Sequence, residues 1–240
     1  IGHQFNFGYN VAGAGHLNIF INFYDYTFPV SKKRTDKIRK ILRTIYPDVK
    51  TPLRHHTPFQ LLVATILSAQ TTDRQVNSVT GALFEKFPTA GALAAAPLRE
   101  IETLIRPTGF FHNKARNIKA CAKALTDQHN GRVPRRLDTL TRLPGVGRKT
   151  ANVVLGAAFG IPGMVVDTHV KRISGRLGLT DHTDPVKIEY DLMAIVPKRA
   201  WNTFGLQLIH FGRDVCLARK PICPDCPLRR MCPYPNKTEA

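Results

Sequence analysis

An all-α fold is predicted by three features of the sequence. Apolar residues recur at helical spacing from Lys32 onward, prolines and glycines cut that pattern into short segments, and runs of alternating β-branched residues are scarce. Ile38, Ile41, Leu42 and Ile45 follow the i, i+3, i+4, i+7 rule of a helix face, Lys33, Lys37, Arg39 and Lys40 fill the remainder, and Pro47 ends the segment. Further helices are predicted at about 58–68, 73–86, 89–95, 98–105, 113–128, 148–159, 168–177, 185–194 and 198–211. Pro88, Pro97, Pro107, Gly109, Gly131, Pro134, Pro144, Gly160, Pro162 and Pro197 fall in the gaps, so the connections are short. The pattern amounts to about ten helices, without an internal repeat or a low-complexity linker.

Composition limits what such a fold is for. With 240 residues, 43% hydrophobic content and a formal charge of +18, the chain reads as a soluble globular protein of one large or two modest domains. Acids are scarce, which makes a polyanion such as nucleic acid the natural partner; an anionic membrane surface could use the same charge. No run reaches the roughly 18 to 20 apolar residues of a transmembrane helix, and no secretory signal is seen, so an intracellular location, in bacteria the cytoplasm, is expected. The first 31 residues contain no Lys or Arg, a single acid (Asp25) and eight of the twenty aromatics, so residues 32–240 carry +19. The aromatic stretch 1–29 is either a sticky extension docked on the body or in part a start-site artefact.

Two loops carry the chemistry. The first is Leu143-Pro144-Gly145-Val146-Gly147-Arg148-Lys149-Thr150, between two helical patterns. It is not a P-loop, because Arg148 precedes Lys149, nor a dinucleotide fingerprint, because Thr150 stands where glycine is needed. Two glycines one residue apart permit a tight turn that brings backbone N–H groups to a phosphate at a helix N-terminus. An ordinary glycine-rich helix connection is the plainer alternative. Lys149 falls in the first turn of the following helix, where the dipole disfavours an ammonium; with partial burial added, the neutral amine that forms a Schiff base with a sugar aldehyde carbon is favoured. Downstream, Val165-Val166-Asp167-Thr168-His169 places Asp167 as an N-cap. A capping carboxylate held near Lys149 can also take a proton and stabilise positive charge on a sugar ring. His169 reads as a supporting or packing residue.

The second loop is Cys216-x6-Cys223-x2-Cys226-x5-Cys232, four of the five cysteines within the last 25 residues. Clustering of this kind points to a metal site rather than a disulfide scaffold. Structural zinc usually takes two C-x2-C knuckles, and one is present; a compact proline-rich loop suits a [4Fe–4S] cube better, with zinc the alternative. Arg219, Lys220, Arg229 and Arg230 on this loop are expected to touch phosphates. Cys121 reads as a plain buried thiol.

Together with Leu67-Ser68-Ala69-Gln70-Thr71-Thr72-Asp73, these segments resemble the endonuclease III family of helix–hairpin–helix DNA glycosylases, over roughly residues 32–232. The resemblance implies a two-lobed all-α fold. A six-helix barrel domain at 51–161 would carry the helix–hairpin–helix, and 30–50 with 162–240 would form a [4Fe–4S] cluster domain. It further implies a monomeric base-excision enzyme acting on double-stranded DNA that contains oxidised pyrimidines or abasic sites. Lys149 would displace the base at C1′ of a flipped nucleotide, with Asp167 assisting, and β-elimination would cut 3′ to the abasic site. Cys216, Cys223, Cys226 and Cys232 would hold the cluster. Leu143, Gly145, Val146, Gly147 and Arg148 would grip DNA, and Gln70 would fill the vacated hole. Phe110 matches an opposite-strand wedge position where the family usually carries leucine; its alternative is a core aromatic. Residues 1–29 have no counterpart in the family pattern. The rivals are an adenine or a thymine/uracil mismatch glycosylase and a non-catalytic DNA-binding module. The adenine enzyme has a glutamate within the helix that here reads Leu61 to Leu67, which contains no acid.

Overall fold

The computed structural model describes residues 31–239; the aromatic stretch 1–29 lies outside the described residues. Among those residues there are eleven α-helices, three 3₁₀ turns and no strand. The helices are α1 (Lys32–Ile45), α2 (Pro58–Leu67), α3 (Asp73–Lys86), α4 (Ala90–Ala95), α5 (Leu98–Ile105), α6 (Phe111–His129), α7 (Leu137–Leu140), α8 (Arg148–Phe159), α9 (Thr168–Arg176), α10 (Pro185–Ile195) and α11 (Trp201–Asp214). Hydroxyl N-caps start several of them: Ser31, Thr57, Thr72 and Thr89 each accept from a backbone N–H in the first turn of α1, α2, α3 and α4.

Two apolar cores hold the helices. The first gathers Leu53 to Leu155 and is built around α2, which buries every residue from Leu61 to Leu67. A helix that is apolar on all sides must be central, and α2 is flanked by α3, α6 and α8. The second core joins Ile38 and Leu42 of α1 to Met164, Val165 and Val166 of an extended segment and to residues of α9, α10 and α11. Because α1 packs on α11, the two ends of the described chain close this core together. α8 faces both cores, since Val154 and Leu155 lie in the first while Val153 packs against the second.

The structure corrects some sequence expectations. Ile45, placed on the buried face of α1, is exposed, because the helix ends at that residue and Tyr46 takes its place against the core. α6 begins at Phe111, two residues earlier than the periodicity suggests, because a left-handed residue at Phe110 starts it abruptly. The single-turn α7 was not anticipated, and residues 198–200 form a 3₁₀ turn ahead of α11.

Candidate active site

The hairpin between α7 and α8 is built on buried anchors. Leu143 and Val146 are 4% and 5% exposed and sit in the first core, and the Val146 N–H donates to the Leu143 carbonyl to close the turn. Their side chains therefore fix the loop, and any DNA contact they make must come from their backbone. Gly145 adopts φ +74°, and a Cβ there would fall 2.9 Å from Cβ of Asn117 on α6, so glycine is required twice over. Gly147 caps α8 without a side-chain bond. The first helical bond is made by the Ala151 N–H to the Gly147 carbonyl, which leaves the amides of Arg148, Lys149 and Thr150 directed out of the helix end for an anion.

Lys149 is the second residue of α8. It is exposed and makes no hydrogen bond or ion pair among the described residues, so the partial burial expected from sequence is not found. Its first-turn position is. Arg148 behaves differently from expectation: its guanidinium makes a two-pronged ion pair with Glu189 of α10 at 2.7 and 2.9 Å and lies over the Tyr190 ring at 5.5 Å. Glu189, 5% exposed, holds that guanidinium firmly in its charged form. The expected phosphate ligand is thus first a tie between α8 and α10.

Asn152 lies three residues beyond Lys149, on the same face of α8. Its Nδ2 donates to Glu189 Oε1 at 3.2 Å and to the Met164 carbonyl at 3.3 Å. A Cβ on Gly163 would stand 2.8 Å from Asn152 Oδ1, so glycine at 163 lets the extended segment come this close. Three residues after Met164, that segment ends at Asp167. The Asp167 carboxylate is the N-cap of α9, with Oδ1 accepting from the N–H groups of His169 and Val170 at 2.8 and 2.9 Å. Oδ2 lies 3.1 Å from His169 Nδ1, and the Asp167 side chain is 11% exposed. The carboxylate is fixed in orientation, and His169 is its support, as expected. Asn152 and Glu189 were missed as a connector because their partners are 12 and 37 residues away.

Gln70 and Phe110 share an unusual property. They stand in separate loops, both in the left-handed region at φ 52° and 48°, and both are exposed. Strain of this kind costs about 1–3 kcal/mol per residue and is kept where the surroundings enforce it. Phe110 is 69% exposed, which removes the core-aromatic alternative.

The four C-terminal cysteines are free, half-buried thiols lining one cavity with Arg176 and Tyr234. An Arg176 guanidinium N–H lies 3.3 Å from Cys216 Sγ, the Cys232 thiol reaches the Arg176 carbonyl at 3.4 Å, and burial pushes the Cys226 thiol up. Among the described residues no three Cys, His, Asp or Glu side chains converge as the ligands of one metal ion would. Cys121 is buried in the first core, and its thiol is pushed up to about 12.

A glycine hairpin feeding a lysine-bearing helix, in an all-α frame, defines a class. Residues 63–198, more than half of the chain, match the family described as HhH-GPD superfamily base excision DNA repair protein. Endonuclease III of Synechocystis sp. is 54% identical over 203 residues, covering 84% of this chain and 93% of that protein. Two solved structures, a non-covalent endonuclease III–DNA complex and a trapped endonuclease III–DNA covalent intermediate, are each 46% identical with a TM-score of 0.82. Each covers 85% of this chain, which in turn spans 96% and 97% of theirs. The chain belongs to the endonuclease III family of this superfamily.

Proposed function

We propose that this base-excision-repair DNA glycosylase and lyase removes oxidised pyrimidines from duplex DNA with Lys149 as nucleophile. The observation that carries the reading is the first-turn, exposed, unpartnered amine of Lys149, on the helix face whose Asn152 clasps the segment leading to the oriented carboxylate of Asp167. Membership of a family that includes a trapped covalent DNA intermediate supports it.

The chemistry assigned to the residues is as follows. A nucleotide must leave the stack before C1′ can be attacked. The amides at the start of α8 hold the backbone phosphate, while Gln70 and Phe110 enter the vacated space. The Lys149 amine forms a bond to C1′ as the glycosidic C–N bond breaks, and the base departs with the electron pair and takes its proton from solvent. Asp167, whose oxygens are held by His169 and Val170, accepts the amine proton, stabilises positive charge on the sugar and returns the proton to O4′ as the C1′–O4′ bond breaks, which leaves the iminium between Lys149 and C1′. Loss of a C2′ proton from the iminium then expels the 3′ phosphate. α2 offers no carboxylate for the adenine-excision chemistry of the rival enzyme.

The cysteine loop is assigned to a [4Fe–4S] cluster held by Cys216, Cys223, Cys226 and Cys232. Four half-buried thiols from one compact, proline-rich loop, all lining one cavity, support that assignment. When bound, the cluster supplies cross-linking of a loop that has little regular structure. The phosphate grip of the basic surface should be salt-sensitive. No helix among the described residues is long and apolar enough to cross a membrane, and the proposed setting is intracellular, on DNA, as a monomer.

Borohydride reduction tests the nucleophile. The protein should be trapped on thymine-glycol or abasic duplex DNA and Lys149→Ala should not; trapping that survives the substitution removes Lys149 from its role.

A further inference from the structure

Lys114 is a buried lysine that the chemistry above does not use. It is 5% exposed, in the first turns of α6, and its Nζ donates to the Thr71 hydroxyl at 2.6 Å and to the Thr108 carbonyl at 2.8 Å. The Thr71 hydroxyl, accepting from Lys114, donates its own proton to the same Thr108 carbonyl at 2.6 Å. Ammonium, hydroxyl and carbonyl therefore close a triangle. Thr71 follows Gln70 directly, and Thr108 precedes Phe110 by two residues. The Lys114 N–H also donates to the Phe110 carbonyl at 3.1 Å, so the same residue holds the backbone of the exposed aromatic.

Among the described residues no carboxylate lies within ion-pair distance of Lys114. Burial pushes its pKa below the ordinary lysine value. A cation buried without a counter-ion is an expensive way to join two loops, since a neutral hydrogen-bonding residue would avoid the desolvation. Its use is understandable where two strained loops must keep one spacing: charge-assisted bonds are shorter and stronger than neutral ones. Gln70 and Phe110 are the two non-glycine residues held at positive φ beside this triangle.

We propose that Lys114 is a positioning residue which, through Thr71 and Thr108, sets the separation of the Gln70 and Phe110 loops, so that both side chains enter the duplex together when a nucleotide is extruded. The inference rests on the reading of Gln70 and Phe110 as the residues that fill the opened helix. It makes a selective demand. Extrusion is needed on duplex DNA carrying a damaged base and is not needed on an abasic site in single-stranded DNA, where the Schiff base can form without unstacking anything.

The test compares those two substrates in the full chain. Lys114→Met, close in volume and unable to donate, should lower kcat for base excision from thymine-glycol duplex by about tenfold to a hundredfold, because small misplacements of positioning groups cost that much. Cleavage of the single-stranded abasic site should stay within about twofold of the parent. Thr71→Val should reproduce the selective loss and Thr71→Ser should restore the parent ratio. 2-Aminopurine placed beside the lesion should report reduced unstacking in Lys114→Met and Thr71→Val alone. Equal losses on both substrates, or no loss on either, overturn the proposal, and the two Thr71 variants decide it should Lys114→Met fail to fold. A Gln70→Ala/Phe110→Ala double variant tests the underlying reading. If it shows no selective loss on duplex, that reading falls and takes the proposal with it; if it does and Lys114→Met does not, the proposal alone falls.

Discussion

The two cores are held together in different ways. The core from Leu53 to Leu155 is closed by apolar side chains of successive helices around α2. The second core is helical too, but among the described residues the segment after α11 that packs against it has no α-helix and buries only Pro221 and Leu228, so arginine donors hold its backbone. Arg172 donates to the carbonyls of Gly212 and Cys216, and Arg176 to those of Leu217 and Ala218. Burial lowers the pKa of the Arg172 guanidinium, a sign that it works in a desolvated setting. The contrast teaches that a short segment with irregular backbone must find donors for its carbonyls and a cross-link for its interior. The first region finds both in helix geometry, and the second borrows them from arginines and, in the reading above, from a cluster.

The proposed chemistry stands at the seam of the two regions and is the first place to break the comparison. Lys149→Ala should abolish covalent trapping while leaving thermal unfolding of either region unchanged, because the side chain is exposed and bonded to nothing described. Differential scanning calorimetry checks the second half. Next, on the cluster assignment proposed above, anaerobically purified protein should be brown and Cys226→Ser should bleach that colour and its visible absorbance. Cluster binding energy is also folding energy, so the second region should loosen with it. Limited proteolysis should then cut within residues 216–239 and spare residues 53–155. Equal sensitivity of both would dissolve the distinction.

Arg148→Met sharpens the comparison at the joint itself. It leaves the buried Glu189 with Asn152 as its remaining side-chain partner and should destabilise the protein by about 2–3 kcal/mol in urea unfolding, somewhat less than a fully buried pair because Arg148 is partly exposed. Phe110→Ala should change stability by less than about 0.5 kcal/mol, since the ring is exposed. Base excision from duplex DNA should fall by about tenfold, or about 1.4 kcal/mol of barrier. The smallest effect concerns Cys121. Its raised thiol pKa keeps it protonated at pH 8, so iodoacetamide should leave it unlabelled until the first region unfolds.

Most helix positions were legible because they rest on local rules. Asp167 announces a helix start, and apolar spacing predicts Ile38 and Leu42 as buried, where the structure places them. The places of Lys149 in the first turn of α8 and of Asp167 at the cap of α9 were legible for the same reason: a glycine hairpin and a capping position are local. Glu189 and Lys114 were not. Their significance lies in partners 41 and 43 residues away, and an acid on α10 or a lysine in a basic chain looks like a solvated charge until its burial is seen. Phe110 shows a third case, in which the sequence allowed a buried or an exposed ring and the left-handed backbone decides for exposure.

Arg34 of α1 donates to the carbonyls of Leu177 and Met231 at 2.5 and 2.7 Å, stitching the start of the described chain to its end. During synthesis these residues leave the ribosome far apart in time. Of the described helices α1 emerges first, and its Ile38 and Leu42 must wait uncovered while the whole of the first core is made and can close behind it. The earliest of the described helices is thus among the last to find its place, and a ribosome stalled once Leu155 has emerged would display a finished first core with α1 still loose.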